Sequence, residues 1–145
     1  MQPVQTHHTV LFVESAPADV ELARQAATVC RFNLHVVEDA DAALDWLMIT
    51  SPALLPLLVV LDLKLPKLNG LAVLRKLRLN PATREIPVLV YSTEFTQAEV
   101  LMSYQAGANS FVAKPIDEHQ FTELFTAHLA YWLTSKHHQM DFATS

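Results

Sequence analysis

Leu57-Leu58-Val59-Val60-Leu61-Asp62 is the stretch of this sequence that decides its fold. Five consecutive apolar residues, apolar on both faces of an extended chain, are typical of a central strand in a parallel sheet, because helices cover such a strand on both sides. An aspartate ends the run. The stretch therefore predicts a buried strand with a carboxylate at its carboxyl end.

Segments of two kinds alternate on either side of this strand. Four more short runs are rich in β-branched or aromatic residues, and they are Val10–Val13, Leu34–Val37, Val88–Tyr91 and Phe111–Ala113. Between them, apolar residues recur every three to four positions, as on one face of a helix. Trp46, Met48 and Met102 fit core-facing sides, and the last such segment runs from Asp117 to about Lys136. This alternation predicts an α/β fold: a doubly wound five-stranded parallel sheet with helices on both faces and a long C-terminal helix.

The 145 residues fit one domain, for which we expect the bounds 9–136, with flexible segments at 1–8 and 137–145. The net charge is -5 and no basic run is present, which argues against nucleic-acid binding. The first residues lack the pattern of a signal peptide, and the longest apolar run is too short to span a bilayer. Together with a single cysteine, Cys30, these features predict a cytoplasmic protein that does not contact membranes.

Polar side chains follow four of the five predicted strands, at the edge where the carboxyl ends of parallel strands meet. They are Glu14, Asp62, Ser92 and Lys114. The Asp62 carboxylate is placed to act as a nucleophile toward a phosphoryl group and to form an acyl phosphate. The Lys114 ammonium and the Ser92 hydroxyl would each bind a phosphoryl oxygen. Glu14 and Asp62 would be oxygen ligands of a Mg²⁺ ion.

Four fragments of the chain, in their order and spacing, resemble the receiver domains of two-component response regulators. They are Val13–Val20, Leu61–Gly70, Pro87–Ser92 and Phe111–Pro115, and the resemblance covers about residues 9 to 130. The chain is most similar to stand-alone regulators encoded with phytochrome-type sensor kinases. The resemblance implies a flavodoxin-like receiver fold in which a sensor histidine kinase transfers a phosphoryl group to Asp62.

The resemblance also implies roles for residues around Asp62. The backbone carbonyl of Lys64 would be a third metal ligand, and Phe111 would be the aromatic residue whose rotamer follows the movement of Ser92. Lys64 and Glu94 occupy the positions that tune hydrolysis of the phosphoryl group. Because they are opposite in charge, they could pair over Asp62 and slow the attacking water. Two separately solvated side chains are an equally good interpretation, because an exposed pair contributes little.

Signalling would pass through protein contact, because the chain carries no effector domain after residue 136. The last predicted helix has many apolar residues near its end, which is typical of an interface in a small protein. They are Phe125, Leu129, Tyr131, Trp132 and Leu133. We therefore expect a homodimer or a partner to use the last helix.

The chain departs from the family pattern at Ser15. Receiver domains place two adjacent acids after the first strand, and here the pair is Glu14-Ser15. A neutral hydroxyl is a weaker ligand for a hard cation than a carboxylate, so we expect phosphorylation to need more magnesium than usual. Ser15 also fits the N-cap of the first helix, with Pro17 in its first turn.

Two other functions are compatible with the same residues. A pseudo-receiver would keep the fold as an interaction module that is not phosphorylated, and Ser15 favours this alternative. An aspartate-nucleophile phosphatase would need a second acid two residues after Asp62, where Lys64 stands. We therefore predict that the chain is not an enzyme.

Overall fold

The computed structural model describes residues 8–67, 69–114 and 117–127. Residues 1–7 and 137–145 of the predicted flexible ends lie outside these ranges. The predicted continuation of the last helix beyond residue 127 also lies outside them, with its predicted interface residues from Leu129 onward. The domain bounds of 9–136 stay a prediction.

Strands and helices alternate along the described chain as predicted. The strands are β1 (Thr9–Val13), β2 (Asn33–Val37), β3 (Leu58–Leu61), β4 (Val88–Ser92) and β5 (Ser110–Ala113). The helices are α1 (Pro17–Cys30), α2 (Ala40–Ile49), α3 (Gly70–Leu79), α4 (Gln97–Gln105) and α5, which is helical over 118–127. A short 3-10 turn, Pro52–Leu54, precedes β3. Among the described helices, none is long and apolar enough to cross a membrane.

All five strands are parallel, and their order in the sheet is β2-β1-β3-β4-β5. The predicted doubly wound parallel sheet is confirmed. After β2 the chain returns past β1 and continues on its other side, so the switch point of the sheet lies between β1 and β3. In open parallel sheets the loops diverge there and leave a crevice at the carboxyl ends of the strands. Glu14 and Asp62 directly follow these two strands.

Helices cover both faces of the sheet, and β3 contributes to both cores. Val59 and Leu61 pack with residues of α2 and α3. Leu58 and Val60 pack with residues of α1 and α5 on the opposite face. All four side chains are at most 1% exposed, as expected of a central strand.

Two methionines do not lie where we expected them. Met48 is 78% exposed and Met102 is 39% exposed, so their predicted placement in the core is wrong. The buried face of α2 is formed by Ala40, Ala43 and Leu47. Met48 follows Leu47 and is therefore turned about 100° away from it around the helix axis. In α4 only Ser103 is buried, so this helix packs through its small residue rather than through Met102.

Phe125 is fully buried and therefore is not available to a homodimer. Its ring meets Phe32 at a centroid distance of 5.2 Å and Phe121 at 5.1 Å. The expectation that Phe125 belongs to an interface is wrong, because the first turns of α5 supply the core beneath α1 with aromatic side chains.

Candidate functional site

The backbone of the site is held by the sheet itself. Glu14, Asp62 and Lys114 each stand one residue past the end of a strand, and each donates its backbone N–H to the last residue of the neighbouring strand. These hydrogen bonds run from Glu14 to the Val37 carbonyl (3.0 Å), from Asp62 to the Val13 carbonyl (3.2 Å) and from Lys114 to the Ser92 carbonyl (2.8 Å). Parallel pairing thus brings the predicted side chains to one edge.

The Lys114 ammonium lies at the centre of the site. Its Nζ donates to Glu14 Oε1 at 2.5 Å, to Asp19 Oδ2 at 3.0 Å and to Asp62 Oδ2 at 3.1 Å. The Lys114 side chain is only 5% exposed. Charged side chains are buried only where they are paired, because removing them from water is costly. One ammonium therefore keeps three carboxylates together at this edge.

Two residues of this cluster do not follow from the sequence analysis. Asp19, in the first turn of α1, supplies a carboxylate to Lys114. Tyr91 lies with its ring centroid 4.7 Å from Lys114 Nζ, and its hydroxyl donates to Asp19 Oδ1 at 3.5 Å. An aromatic face attracts a cation at this distance. The only sequence signal for Asp19 is its place soon after the acid that follows β1, and no pattern singles out Tyr91.

Burial and neighbouring charges shift the pKa values of the cluster. Burial raises the pKa of Glu14, and the charge of Asp62 adds to this effect, although the hydrogen bond from Lys114 opposes it. Burial alone would lower the pKa of Lys114, but its contacts with Glu14, Asp19 and Asp62 outweigh burial and raise that pKa. Burial and then the charge of Asp19 raise the pKa of Tyr91. At neutral pH the lysine therefore remains charged and the phenol remains neutral.

Ser92 carries a buried hydroxyl that has no hydrogen-bond partner in the described part of the chain. It is 0% exposed. An unsatisfied buried hydroxyl costs about 1–3 kcal/mol, so such a group in a native fold needs an explanation. Ser92 ends β4, which pairs with β3, and β3 leads into Asp62. The free hydroxyl is thus available to an oxygen atom that a ligand would bring to this edge.

The side chain of Glu14, and not that of Ser15, accepts the backbone N–H groups just before α1. Ala16 is the N-cap residue and Pro17 is the first helical residue, so the expected Ser15 cap is wrong. Glu14 Oε2 accepts the N–H groups of Ser15 and Ala16, both at 3.1 Å. The Ser15 side chain is left exposed, and Glu14 Oε1 is left for Lys114.

Lys64 pairs with a different acid from the one we expected. Its ammonium donates to Glu99 Oε2 at 2.8 Å in the first turn of α4, whereas Glu94 is exposed. The Lys64–Glu94 pair is therefore not formed, and of the two alternatives Glu94 follows the solvated one. The roles of both residues in tuning hydrolysis stay predictions. The backbone N–H of Lys64 donates to Asp62 Oδ1 at 3.0 Å. Lys64 thus contacts Asp62 through its main chain and α4 through its side chain.

Phe111 is half-buried in β5 and packs against the core on the α2–α3 side. Its ring meets the ring of Phe95 edge to face, with centroids 4.8 Å apart. Phe95 lies in the loop between β4 and α4, three residues after Ser92. The residue predicted to switch its rotamer therefore contacts the loop that Ser92 begins, and its switching role stays a prediction.

Gly70 allows the chain to close tightly behind Asp62. As the first residue of α3, it donates its N–H to the Leu63 carbonyl at 2.9 Å. A Cβ atom at this position would clash with the Asp62 carbonyl oxygen. Such close backbone approach requires glycine, so Gly70 helps to fix the position of Asp62.

The family model for the response regulator receiver domain matches residues 10–126, a range that contains every site residue described above. This chain belongs to that family. The predicted resemblance to receiver domains is confirmed.

Individual relatives cover nearly the whole chain. Response regulator Rcp1 of Synechocystis is 29% identical over 131 residues, which are 86% of this chain and 88% of Rcp1. FilR2 of Methanothrix harundinacea, a probable methanogenesis regulatory protein, is 30% identical over 86% of this chain and 83% of its own. The crystal structure of phosphorylated RcpA, a cyanobacterial phytochrome response regulator, superimposes with a TM-score of 0.78 at 27% identity and covers 90% of this chain and 96% of RcpA. The Mn²⁺-bound form of Rcp1 gives a TM-score of 0.75 at 27% identity, with coverage of 87% and 94%.

The residues of this receiver domain fit a hard divalent cation in their chemistry. Three carboxylates face one ammonium, so negative charge is in excess, and charged oxygen atoms are the ligands that Mg²⁺ and Mn²⁺ prefer. Within the described ranges, no three Asp, Glu, His or Cys side chains already surround a metal position. The carboxylates of Glu14, Asp19 and Asp62 are instead directed at Lys114. The ammonium group of Lys114 supplies the positive charge that a metal ion would otherwise supply.

We predict that Lys114→Met binds Mg²⁺ about ten-fold or more tightly than the wild type does. The ammonium competes with the metal for the same carboxylates, and at an effective dielectric constant of about 20 two unit charges about 4 Å apart interact by about 4 kcal/mol. Isothermal titration calorimetry measures the dissociation constant, and circular dichroism checks that the variant is folded. Lys76→Met removes the same charge from an exposed site on α3 and serves as control. If Lys114→Met binds Mg²⁺ equally or more weakly than the wild type, the Lys114 ammonium does not compete with the metal ion for the carboxylates.

Proposed function

We propose that this receiver domain accepts a phosphoryl group on Asp62 from the phosphohistidine of a sensor histidine kinase, in the presence of Mg²⁺. The observation that carries the proposal is the contact of Asp62 with Lys114 at 3.1 Å. It is joined by the fully buried hydroxyl of Ser92, at the end of the neighbouring strand β4, which has no partner among the described residues. Two donors for phosphoryl oxygens are therefore available at this edge of the sheet, and one of them binds no other group in the described part of the chain.

In the proposed reaction, a carboxylate oxygen of Asp62 forms a bond to phosphorus while the P–N bond to the donor imidazole breaks, and the imidazole takes up a proton. Lys114 remains charged because its pKa is raised, and it exchanges its contact with the Asp62 carboxylate for a phosphoryl oxygen. The Ser92 hydroxyl donates to a second phosphoryl oxygen. Glu14, Asp62 and the backbone carbonyl of Lys64 would hold Mg²⁺, which neutralises charge on the transferred group.

The partner proposed here is a phytochrome-type sensor histidine kinase. The likeness to RcpA, described as a phytochrome response regulator, supports this choice. The chain would act in the cytoplasm as a phosphorylation switch that signals by protein contact, without enzymatic activity of its own and without binding nucleic acid or membranes. A homodimer through the last helix would use residues after position 127, because Phe125 is buried.

The first test is to incubate the protein with acetyl phosphate and Mg²⁺ and to measure its intact mass. We expect one added phosphoryl group in the wild type and none in Asp62→Asn, which removes the nucleophilic carboxylate and keeps its shape. No adduct in the wild type, even at high magnesium concentration and short times, would overturn the proposal in favour of the pseudo-receiver.

A second test concerns the acid that is missing at Ser15. We predict that Ser15→Asp lowers the Mg²⁺ concentration for half-maximal phosphorylation by about ten-fold, since one added charged contact is worth a few kcal/mol at an effective dielectric constant of about 20 before solvent screening. Ser51→Asp, at an exposed position before the 3-10 turn, adds the same charge elsewhere and should change nothing. An unchanged magnesium requirement in Ser15→Asp would show that Ser15 does not weaken the metal site.

A further inference from the structure

One ion pair connects the acceptor loop of the site to α4. The Lys64 ammonium contacts Glu99 Oε2 at 2.8 Å, and the Lys64 backbone N–H contacts Asp62 Oδ1 at 3.0 Å. Lys64 is therefore the residue through which the acceptor carboxylate and the start of α4 are joined. The phosphoryl chemistry proposed above does not use this side-chain contact.

Glu99 has two functions at the start of α4. Its Oε1 accepts the backbone N–H of Thr96 at 2.9 Å, while the Thr96 hydroxyl accepts the backbone N–H of Glu99 at 3.1 Å, which completes a capping box. The other oxygen, Oε2, holds Lys64. The hydrogen bonds from Lys64 and from the Thr96 backbone both lower the pKa of Glu99, so its carboxylate is charged at neutral pH.

The Lys64–Glu99 ion pair is weak enough for the ammonium to exchange Glu99 for another acceptor. The side chains of Lys64 and Glu99 are 46% and 21% exposed, and ion pairs in such positions are weak because water screens them. A phosphoryl group on Asp62 would replace one negative charge by nearly two and would add three acceptor oxygens. Because the Lys64 main chain is already bound to Asp62, the new acceptor would appear close to the base of the Lys64 side chain.

We propose that Glu99 is a positioning residue that holds the Lys64 ammonium on α4 while Asp62 is unphosphorylated, and that phosphorylation transfers this ammonium from Glu99 to the phosphoryl group. The inference rests on the proposed function and assigns a regulation to the same site. While it is formed, the Lys64–Glu99 pair favours the unphosphorylated state. Its exchange removes a tie between the acceptor loop and the first turn of α4.

The exchange would act on a segment that has two further links to the site. Ser92, whose hydroxyl has no partner among the described residues, begins the segment, and Phe95 within it contacts Phe111. Capture of Ser92 by a phosphoryl oxygen and release of Glu99 would therefore affect both ends of the connection between β4 and α4. Movement at α4 would follow from the loss of the ion pair and not only from the movement of Ser92.

The test compares the affinities of the wild type and four variants for beryllofluoride, an analogue of the phosphoryl group, in the presence of Mg²⁺. Titrations are followed by backbone amide resonances. Glu99→Gln removes the charge but keeps a side chain that can complete the capping box, so α4 should remain intact. Glu85→Gln removes an equally charged, exposed side chain between α3 and β4 and is the matched control. Lys64→Ala and the double variant Lys64→Ala/Glu99→Gln complete the set with the wild type as reference.

We expect Glu99→Gln to bind beryllofluoride about two- to five-fold more tightly than the wild type, a change in the range of exposed ion pairs. Glu85→Gln should match the wild type. Adding Glu99→Gln to Lys64→Ala should produce no gain, because the ammonium that Glu99 restrains is absent. A purely structural role of Glu99 in α4 would act equally with and without Lys64.

Three results would count against the proposals: two overturn only this inference, and the third overturns the proposed function. If the wild type binds beryllofluoride and Glu99→Gln binds it equally or more weakly, Glu99 does not restrain Lys64 and only this inference is overturned. If Glu99→Gln tightens binding by the same factor in the Lys64→Ala background, the inference is likewise overturned. Failure of the wild type to bind beryllofluoride would overturn the proposed function itself.

Discussion

The contact between the Lys114 ammonium and three carboxylates is the interaction on which the rest of the site depends. Glu14 follows β1, Asp19 belongs to α1, Asp62 follows β3 and Lys114 follows β5, so one charged group connects four separate parts of the chain. Breaking a buried pair by removing one partner typically costs about 3–5 kcal/mol, because the other charge is left unpaired. Any change of charge at Asp62 must therefore change what Lys114 binds.

The same edge of the sheet holds a buried side-chain hydroxyl that is unsatisfied within the described part of the chain. Backbone hydrogen bonds fix Glu14, Asp62 and Lys114, yet the hydroxyl of Ser92 is buried without a partner in the described chain. Folds depart from full satisfaction of their polar groups mainly at functional sites. The Lys114 ammonium binds three carboxylates, whereas the Ser92 hydroxyl binds no group in the described ranges. A group with several oxygen atoms on Asp62 would give both side chains a new acceptor. In the proposed switch, the change at Asp62 would reach α4 both through the Lys64–Glu99 ion pair and through the segment that Ser92 begins.

The sheet and most of the site could be predicted because local pattern and topology agree. The apolar run Leu57–Leu61 can only be buried on both faces, and parallel strands must bring the residues that follow them to one edge. Asp19, Tyr91 and Glu99 could not be predicted in the same way. The roles of Asp19 and Tyr91 depend on the distance between the start of α1 and the edge of the sheet. The role of Glu99 depends on whether the Lys64 side chain reaches Glu99 or Glu94. Residue spacing alone does not contain these distances. The errors at Met48 and Phe125 have a similar cause, since the apolar faces of α2 and α5 are set by helix rotation against the sheet.

The most direct test of this account is a crystal structure of the protein with Mg²⁺ and beryllofluoride bound. The account predicts that beryllium is joined to an Asp62 carboxylate oxygen, that Lys114 Nζ and Ser92 Oγ each lie within hydrogen-bond distance of a different fluorine, and that the Lys114–Asp62 contact of 3.1 Å is lost. A complex in which Ser92 Oγ remains without a partner and Lys114 keeps all three carboxylates would contradict it.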